Sequence, residues 1–195
     1  GGATGAQVAP IFNAFGSRVQ LFQAGPRILP TEDEDVSFAV AAAFRESGMV
    51  VREGFGAIES FERTPRGVRM IFSKDGVRDS AEAALAVVAV GWVANTAGLG
   101  LAMAGVETDH RGFIRVDAYL RTSAPHIFAA GDIIGRLLLV PQVIQDGFVA
   151  ATNAVRGVTM TRGDQVSPIG SFTDPEYAQV GLTEAKARET HDVVT

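Results

Sequence analysis

The sequence predicts an α/β fold, and three observations carry that prediction. Apolar residues switch repeatedly between helical spacing and strand-like alternation along the chain. Glycine, proline and Asp-Gly clusters punctuate the switches. Residues 85–90 (LAVVAV) form a nearly continuous apolar run, as in a strand buried on both faces. With 195 residues, 47% hydrophobic and 20% charged, the chain has the composition of a globular protein with a sizeable core.

Taken in order, residues 5–15 place Val8, Ile11, Phe12 and Phe15 on one side of a helix that Gly16 stops. Residues 18–22 (RVQLF) alternate as a strand. Thr31 and Glu34 have the spacing of a capping box, opening a helix that buries Val36, Val40 and Phe44 and ends at Gly48. Residues 50–52, 57–62, 68–72 and 77–81 read as short strands. Lys74-Asp75-Gly76 supplies a hairpin turn in what becomes a small antiparallel meander. After Asn95 the texture is loop-like, with short strands expected over 113–116 and 126–130. A helix is expected over 141–155, with Pro141 near its start, where proline is tolerated. Residues 157–163 are a polar linker, 169–172 and 179–182 are strands of a new unit, and a short helix spans 183–188.

Composition excludes several functions. Seventeen Lys and Arg stand against 22 Asp and Glu, a net charge of −5, so there is no basic excess to neutralise a phosphate backbone, and nucleic acid is not an expected partner. There is no cysteine, hence no thiol chemistry by this chain. His110, His126 and His191 lie far apart and show no metal-ligand spacing. No apolar run reaches the ~18 residues of a membrane span, and no signal peptide is recognisable, so a cytoplasmic location is expected. The opening glycine loop with nothing before it, and an end at 191–195 without a charged tail, read as an internal piece of a longer polypeptide. A processed product is the alternative.

Three stretches carry chemistry. Gly1, Gly2 and Gly5 fit the last part of a G-x-G-x-x-G dinucleotide fingerprint, in which Gly2 lets the backbone approach a pyrophosphate and Gly5 lets the helix pack close to a strand. The helix N-terminus would then hold the phosphates. A flexible glycine-rich terminus is the competing reading. Gln23 lies eighteen residues beyond Gly5, at the end of the following strand, where an acidic residue commonly grips the ribose of NAD. A neutral Gln does not repel a 2′-phosphate, and Arg27 is nearby, so NAD and NADP both stay open. An ordinary polar strand end would look the same. Finally, the apolar run before Gly131-Asp132 aims a carboxylate from the C-terminal end of a strand, where cofactors bind in such sheets. Gly-Asp is otherwise a simple turn.

The order of these pieces resembles the FAD/NAD(P)-dependent pyridine nucleotide-disulfide oxidoreductases, the family of dihydrolipoyl dehydrogenase and mercuric reductase. The stretches that carry the resemblance are GGATG…IFNAFGSRVQLF…PRILP, AVGWVANTAGLGL, GFIRVDAYLRTSAPHIFAAGD and SFTDPEYAQVGLTEAKA, and they span nearly the whole chain. The resemblance implies a Rossmann-like NAD(P)-binding domain with a meander over 1–92, its first strand missing. It implies the C-terminal part of an FAD-binding α/β domain over 93–164, and the start of an α+β dimer-interface domain over 165–195. It also implies that Gly2 and Gly5 contact the dinucleotide and Gln23 its ribose, with Gly91 near the nicotinamide. Asp132, after Gly131, would bond the ribityl chain of the flavin, and Leu138, Leu139, Val140 and Pro141 would pass the flavin and open a helix.

The implied activity is hydride transfer from NAD(P)H to FAD and on to a disulfide or other small-molecule acceptor, in a homodimeric parent. A nucleotide-binding module without turnover is the alternative. Gln7 and Gln23 stand where the family usually has Glu, Trp92 where Arg is common and Pro141 where His is frequent. The family's redox cysteines and its catalytic His-Glu pair fall outside these residues, and His191 is too early to be that base. The unpaired sheet edge of 166–195 predicts poor solubility of the isolated piece.

Overall fold

The computed structural model describes residues 1–163 and 166–194. It separates into two compact units, Gly1–Val90 with Gly170–Thr195, and Gly91–Ile169. The boundary expected between 164 and 165 lies outside the described residues.

In the first unit, helix α1 (Ala3–Ala14) leads to strand β1 (Gln20–Gln23), and helix α2 (Glu34–Glu46) leads to β2 (Val50–Glu53). β1 and β2 pair in parallel, with Gln20 opposite Val50 and Gln23 opposite Glu53. Parallel neighbours need a crossover, and α2 provides it. The core between these elements is Ala6, Ala9, Leu21, Ile28, Leu29, Val40, Ala41, Phe44 and Met49. α2 buries Val40 and Phe44 as its spacing predicts, while Val36 is only half-buried and Ser37 and Ala41 take the remaining inward positions. α1 does not bury its predicted face: Ala6 and Ala9 point inward, while Ile11 and Phe15 are exposed. Small residues let the helix lie close to β1, and closeness here outweighs side-chain size.

The capping box also fails to form. α2 starts at Glu34 after Asp33, which makes no side-chain cap. Thr31 Oγ1 instead donates to Glu32 Oε1, and Asp33 Oδ1 accepts the amide of Glu184. The helix ends as expected near Gly48, whose N–H donates to Arg45 O while that of Met49 donates to Phe44 O.

The meander is antiparallel: β3 (Ala57–Thr64), β4 (Gly67–Lys74) and β5 (Val77–Ala83), in that order, with a register shift between Ile58 and Ser60. Lys74 pairs with Val77, leaving the two-residue turn Asp75-Gly76, both at positive φ. Phe22, Phe55 and Phe72 meet edge-on with ring centroids 5.4–5.7 Å apart, tying β1 to the meander.

Residues 85–90 correct a prediction. They form no strand, and Leu85, Val87, Val88 and Val90 are exposed. A strand needs a ladder partner, and among the described residues this run has none. β6 (Ile169–Ser171) and β7 (Tyr177–Gln179) form a two-stranded sheet, the second two residues earlier than predicted and leaving Val180 and Leu182 exposed. Helix α4 (Glu184–Arg188) follows, with Thr183 Oγ1 accepting from the Lys186 amide.

In Gly91–Ile169 the strands expected over 113–116 and 126–130 reduce to single bridges, Thr108 to Ile114 and Arg121 to Phe128. Helix α3 (Val140–Arg156) is one residue longer at each end than its prediction. It packs with Val106, Ile114, Leu120, Ala124, Ala129 and Ile134.

Candidate functional site

The predicted site residues fall into two groups, one in each unit. In the first unit, Gly2 is the N-cap of α1, with no capping side chain and no acidic residue in the first turn. The first-turn amides of a helix have no intrahelical partner, so such an end suits an anion. Gly1 is pinned beside the end of β1: its N–H group donates to Phe22 O (3.0 Å) and its carbonyl accepts from the Leu29 amide (2.8 Å).

Gln23 lies directly against this glycine. A Cβ on Gly1 would fall 2.6 Å from Gln23 Cβ and 2.7 Å from its Oε1, so only glycine fits. On the other side, a Cβ on Gly25 would fall 3.1 Å from Gln23 Nε2. The half-buried amide is therefore cradled between two glycines, one facing its acceptor end and one its donor end. Gly5 is less constrained, since a Cβ there would make ordinary contacts with Ala89 Cβ (3.7 Å) and Leu21 Cδ1 (3.8 Å). Gly2 has open space where a Cβ would be, which leaves its backbone accessible.

Arg27, close in sequence to Gln23, turns away from open solvent. Its Nη1 donates to Leu29 O (2.9 Å) and Ser37 Oγ, and its Nη2 to Pro30 O (3.2 Å) and Glu32 O (2.8 Å). Glu53, opposite Gln23, accepts from the Ile28 amide at 2.8 Å and pairs with Arg45 at 2.7 Å. Neither the clamp nor this anchor was evident from residue spacing. A cavity of about 720 Å³ in this unit lies between β2 and the meander, lined by Arg52, Glu53, Phe72 and Lys74 among others and by none of the predicted site residues.

The second group lies in Gly91–Ile169. Gly131 has φ +84°, and a Cβ on it would press on Val143 Cγ1 at 3.3 Å, so glycine brings this backbone onto the first turn of α3. Asp132 opens a short 3-10 turn, Asp132–Ile134, with its side chain exposed. That turn closes at Gly135, where a Cβ would enter the Phe113 ring at 2.5 Å. Leu138 and Leu139 are half-buried, Leu139 is the N-cap of α3, and Val140 and Pro141 are its exposed first two residues. Gly91 is exposed with φ +131° and nothing near its Cβ position.

Sequence reading missed the polar residues on the inner face of α3. Asp146 is 2% exposed, and its Oδ1 accepts from Arg136 Nη1 and Gln142 Nε2, each at 2.9 Å. Asn153 is equally buried. It donates to Tyr119 O (2.9 Å) and Met160 O (2.7 Å) and accepts the amides of Thr159 and Met160. The signal was present: Gln142, Asp146 and Asn153 share a helical face with Val149.

The first unit thus has a glycine N-cap opening α1 beside a parallel β-α-β unit, and the second has a Gly-Asp turn shortly before α3. The family profile of pyridine nucleotide-disulphide oxidoreductases matches residues 1–156, and the chain belongs to that family. It is a family of FAD-dependent enzymes that use NAD(P)H. The chain is 38% identical over 191 residues to dihydrolipoyl dehydrogenase of Thermus scotoductus, covering 97% of this chain and 41% of that protein. It is 34% identical over 194 residues to glutathione reductase of Burkholderia cepacia, covering 100% of this chain and 42% of that protein.

Among solved structures, it matches the Cu(II) complex of the HOCl-induced flavoprotein disulfide reductase RclA from Escherichia coli with a TM-score of 0.85. The identity is 27%, over 98% of this chain and 44% of that one. It matches LpdA from Mycobacterium tuberculosis with a TM-score of 0.83 at 28% identity, over 96% of this chain and 40% of that one. The chain thus spans about two fifths of the length of these relatives. No described helix is long and apolar enough to cross a membrane.

Proposed function

We propose that this chain supplies the coenzyme-binding part and one flavin-contacting turn of an FAD-dependent oxidoreductase that oxidises NAD(P)H and reduces a disulfide or another small acceptor. The observation that carries this reading is the cradle of Gln23 between Gly1 and Gly25, beside the uncapped N-terminus of α1. There the α1 amides would hold the pyrophosphate, and the Gln23 amide would bond a ribose hydroxyl. Gly91 would lie near the nicotinamide. In the other unit the Asp132 carboxylate would accept from a ribityl hydroxyl, and residues 138–141 would flank the flavin. When bound, the nicotinamide donates a hydride and the flavin accepts it. The chain's residues bind and orient; with no cysteine among them, they supply no thiol for exchange.

The reading extends to the domain division at 92 and 164, and to a homodimer in which residues 165–195 contribute to the interface. The exposed Phe172, Val180 and Leu182 support that assignment. A cytoplasmic location goes with it. Titration with NADH, followed by nicotinamide fluorescence, tests the coenzyme site: saturable binding is expected, and its absence would refute the assignment. In a flavin-loaded parent, Asp132→Ala should weaken FAD retention by about 1–3 kcal/mol. Unchanged flavin content after dialysis would remove Asp132 from the site.

A further inference from the structure

We infer that the coenzyme cradle selects the form without a 2′-phosphate, and that Arg27 is a positioning residue of this site and not a phosphate reader. The inference rests on the nucleotide reading above and deepens it. A guanidinium carries two hydrogens on each Nη nitrogen. In Arg27 all of these are spent within the loop, on the carbonyls of Leu29, Pro30 and Glu32 and on Ser37 Oγ. Ser37 is fully buried and in turn donates to Leu29 O at 3.0 Å, so the clamp is closed from both sides. Turning Arg27 outward to meet a phosphate would take a donor from the carbonyls of Leu29, Pro30 and Glu32 together, with Leu29 O left to Ser37 Oγ and the Glu32 amide, a loss that is costly where these acceptors are buried.

Two of the other cations near the C-terminal ends of β1 and β2 are already engaged. Arg45 pairs with Glu53 at 2.7 Å. Arg52 lies over the Phe22 ring at 5.5 Å and faces Asp79 at 3.7 Å. Lys74 is the remaining candidate, its Nζ 3.5 Å from a Cβ position on Gly54. The Gln23 amide offers one acceptor and one donor end to the ribose. A vicinal diol can use both, donating to Oε1 and accepting from Nε2. A 2′-phosphate replaces one of those hydroxyls: Nε2 and the remaining 3′-hydroxyl can still pair, but the dianion meets no free guanidinium of this loop to neutralise it, and its oxygens have no proton to donate to Oε1.

The test compares NADH with NADPH, and 5′-AMP with 2′,5′-ADP as fragments that probe the ribose alone, by calorimetric titration of the full chain. The dephospho ligand of each pair should bind about tenfold or more tightly than its phosphorylated counterpart. Gln23→Glu should widen that ratio, because a carboxylate repels the phosphate. Arg27→Lys keeps the charge but cannot make the four-way clamp. It should lower the Tm and weaken both members of each pair alike, leaving the ratio unchanged. Lys74→Met should also leave the ratio unchanged. Equal or tighter binding of the phosphorylated ligands overturns the inference while leaving the nucleotide site standing. So does a selective loss of their binding in Lys74→Met, or in Arg27→Met with the dephospho affinity intact. Binding of neither pair by the folded chain overturns the nucleotide reading itself and this inference with it.

Discussion

In Gly1–Val90 most backbone groups that leave a helix find other backbone: β1 with β2, and β3, β4 and β5 in one continuous ladder. Between residues 91 and 139 of the other unit the described residues form two isolated bridges and backbone turn bonds in place of a ladder, and side chains take a further set of amides. Asp109 Oδ1 accepts from Arg111 and Phe113, and Asp117 Oδ1 from Tyr119 and Arg121. Ser123 Oγ accepts from the Glu107 amide and donates to Gly105 O. Asn153 ties α3 to two further segments. Backbone donors must be paired wherever water is excluded, and short polar side chains meet that demand where no neighbouring strand does. Both units have an apolar core, and we expect the second to be sensitive in addition to lost polar partners.

The largest effect should come from Phe44→Ala. Phe44 is 1% exposed at the centre of the first core. Its removal should cost about 3–5 kcal/mol. Hydrogen exchange should show the loss in β1, α2 and β2. A variant that leaves those amides as protected as before would break the comparison, because the apolar core would not be what holds them.

Asn153→Ala should come next, at about 2–4 kcal/mol, since a buried amide with partners at both ends is lost and those partners stay behind. Exchange should rise at Thr159 and Met160, whose amides it accepts. Asn153→Asp sharpens the point. It keeps the acceptor for those amides but presents a carboxylate to the carbonyls of Tyr119 and Met160, so it should not rescue stability. Full rescue would show that only the acceptor half matters.

The same contrast explains what could be read in the sequence. Apolar period and turn chemistry are local signals, so α2 with Val40 and Phe44, and the Asp75-Gly76 hairpin, were legible. The fingerprint with a strand after it assigns Gly2, Gly5 and Gln23 to one ligand, but the contact of Gly1 with Gln23 depends on tertiary packing that the spacing does not announce. Residues 85–90 have the right composition for a buried strand, but pairing is a property of neighbours and not of the run itself. Ile11 and Phe15 misled because size was taken for burial, while Ala6 and Ala9 make the close contact. The Arg27 clamp was hidden because three of its four partners are main-chain carbonyls, which no residue type announces.

The smallest predicted effect tests the polar scaffold by pH. Desolvation alone would raise the Asp117 carboxyl, but the amides of Arg121 and Tyr119 and the Arg121 guanidinium outweigh it and hold it below the usual Asp range. A depressed folded value means that the ionised group stabilises the fold above its unfolded pKa, about 3.9, and that this contribution is lost as pH falls through the folded value. The Arg121 pair, at 3.0 Å between Nη2 and Oδ2, is more than a third exposed, so solvent screening keeps its share below about 1 kcal/mol. Asp117→Asn retains an oxygen for the two amides and loses only the charge. Its denaturation midpoint should lie slightly below that of the parent near neutrality and converge with it under acid. A constant offset down to about pH 2 would mean that Asp117 acts through shape alone. The scaffold of the second unit would then rest on hydrogen-bond geometry rather than on charge.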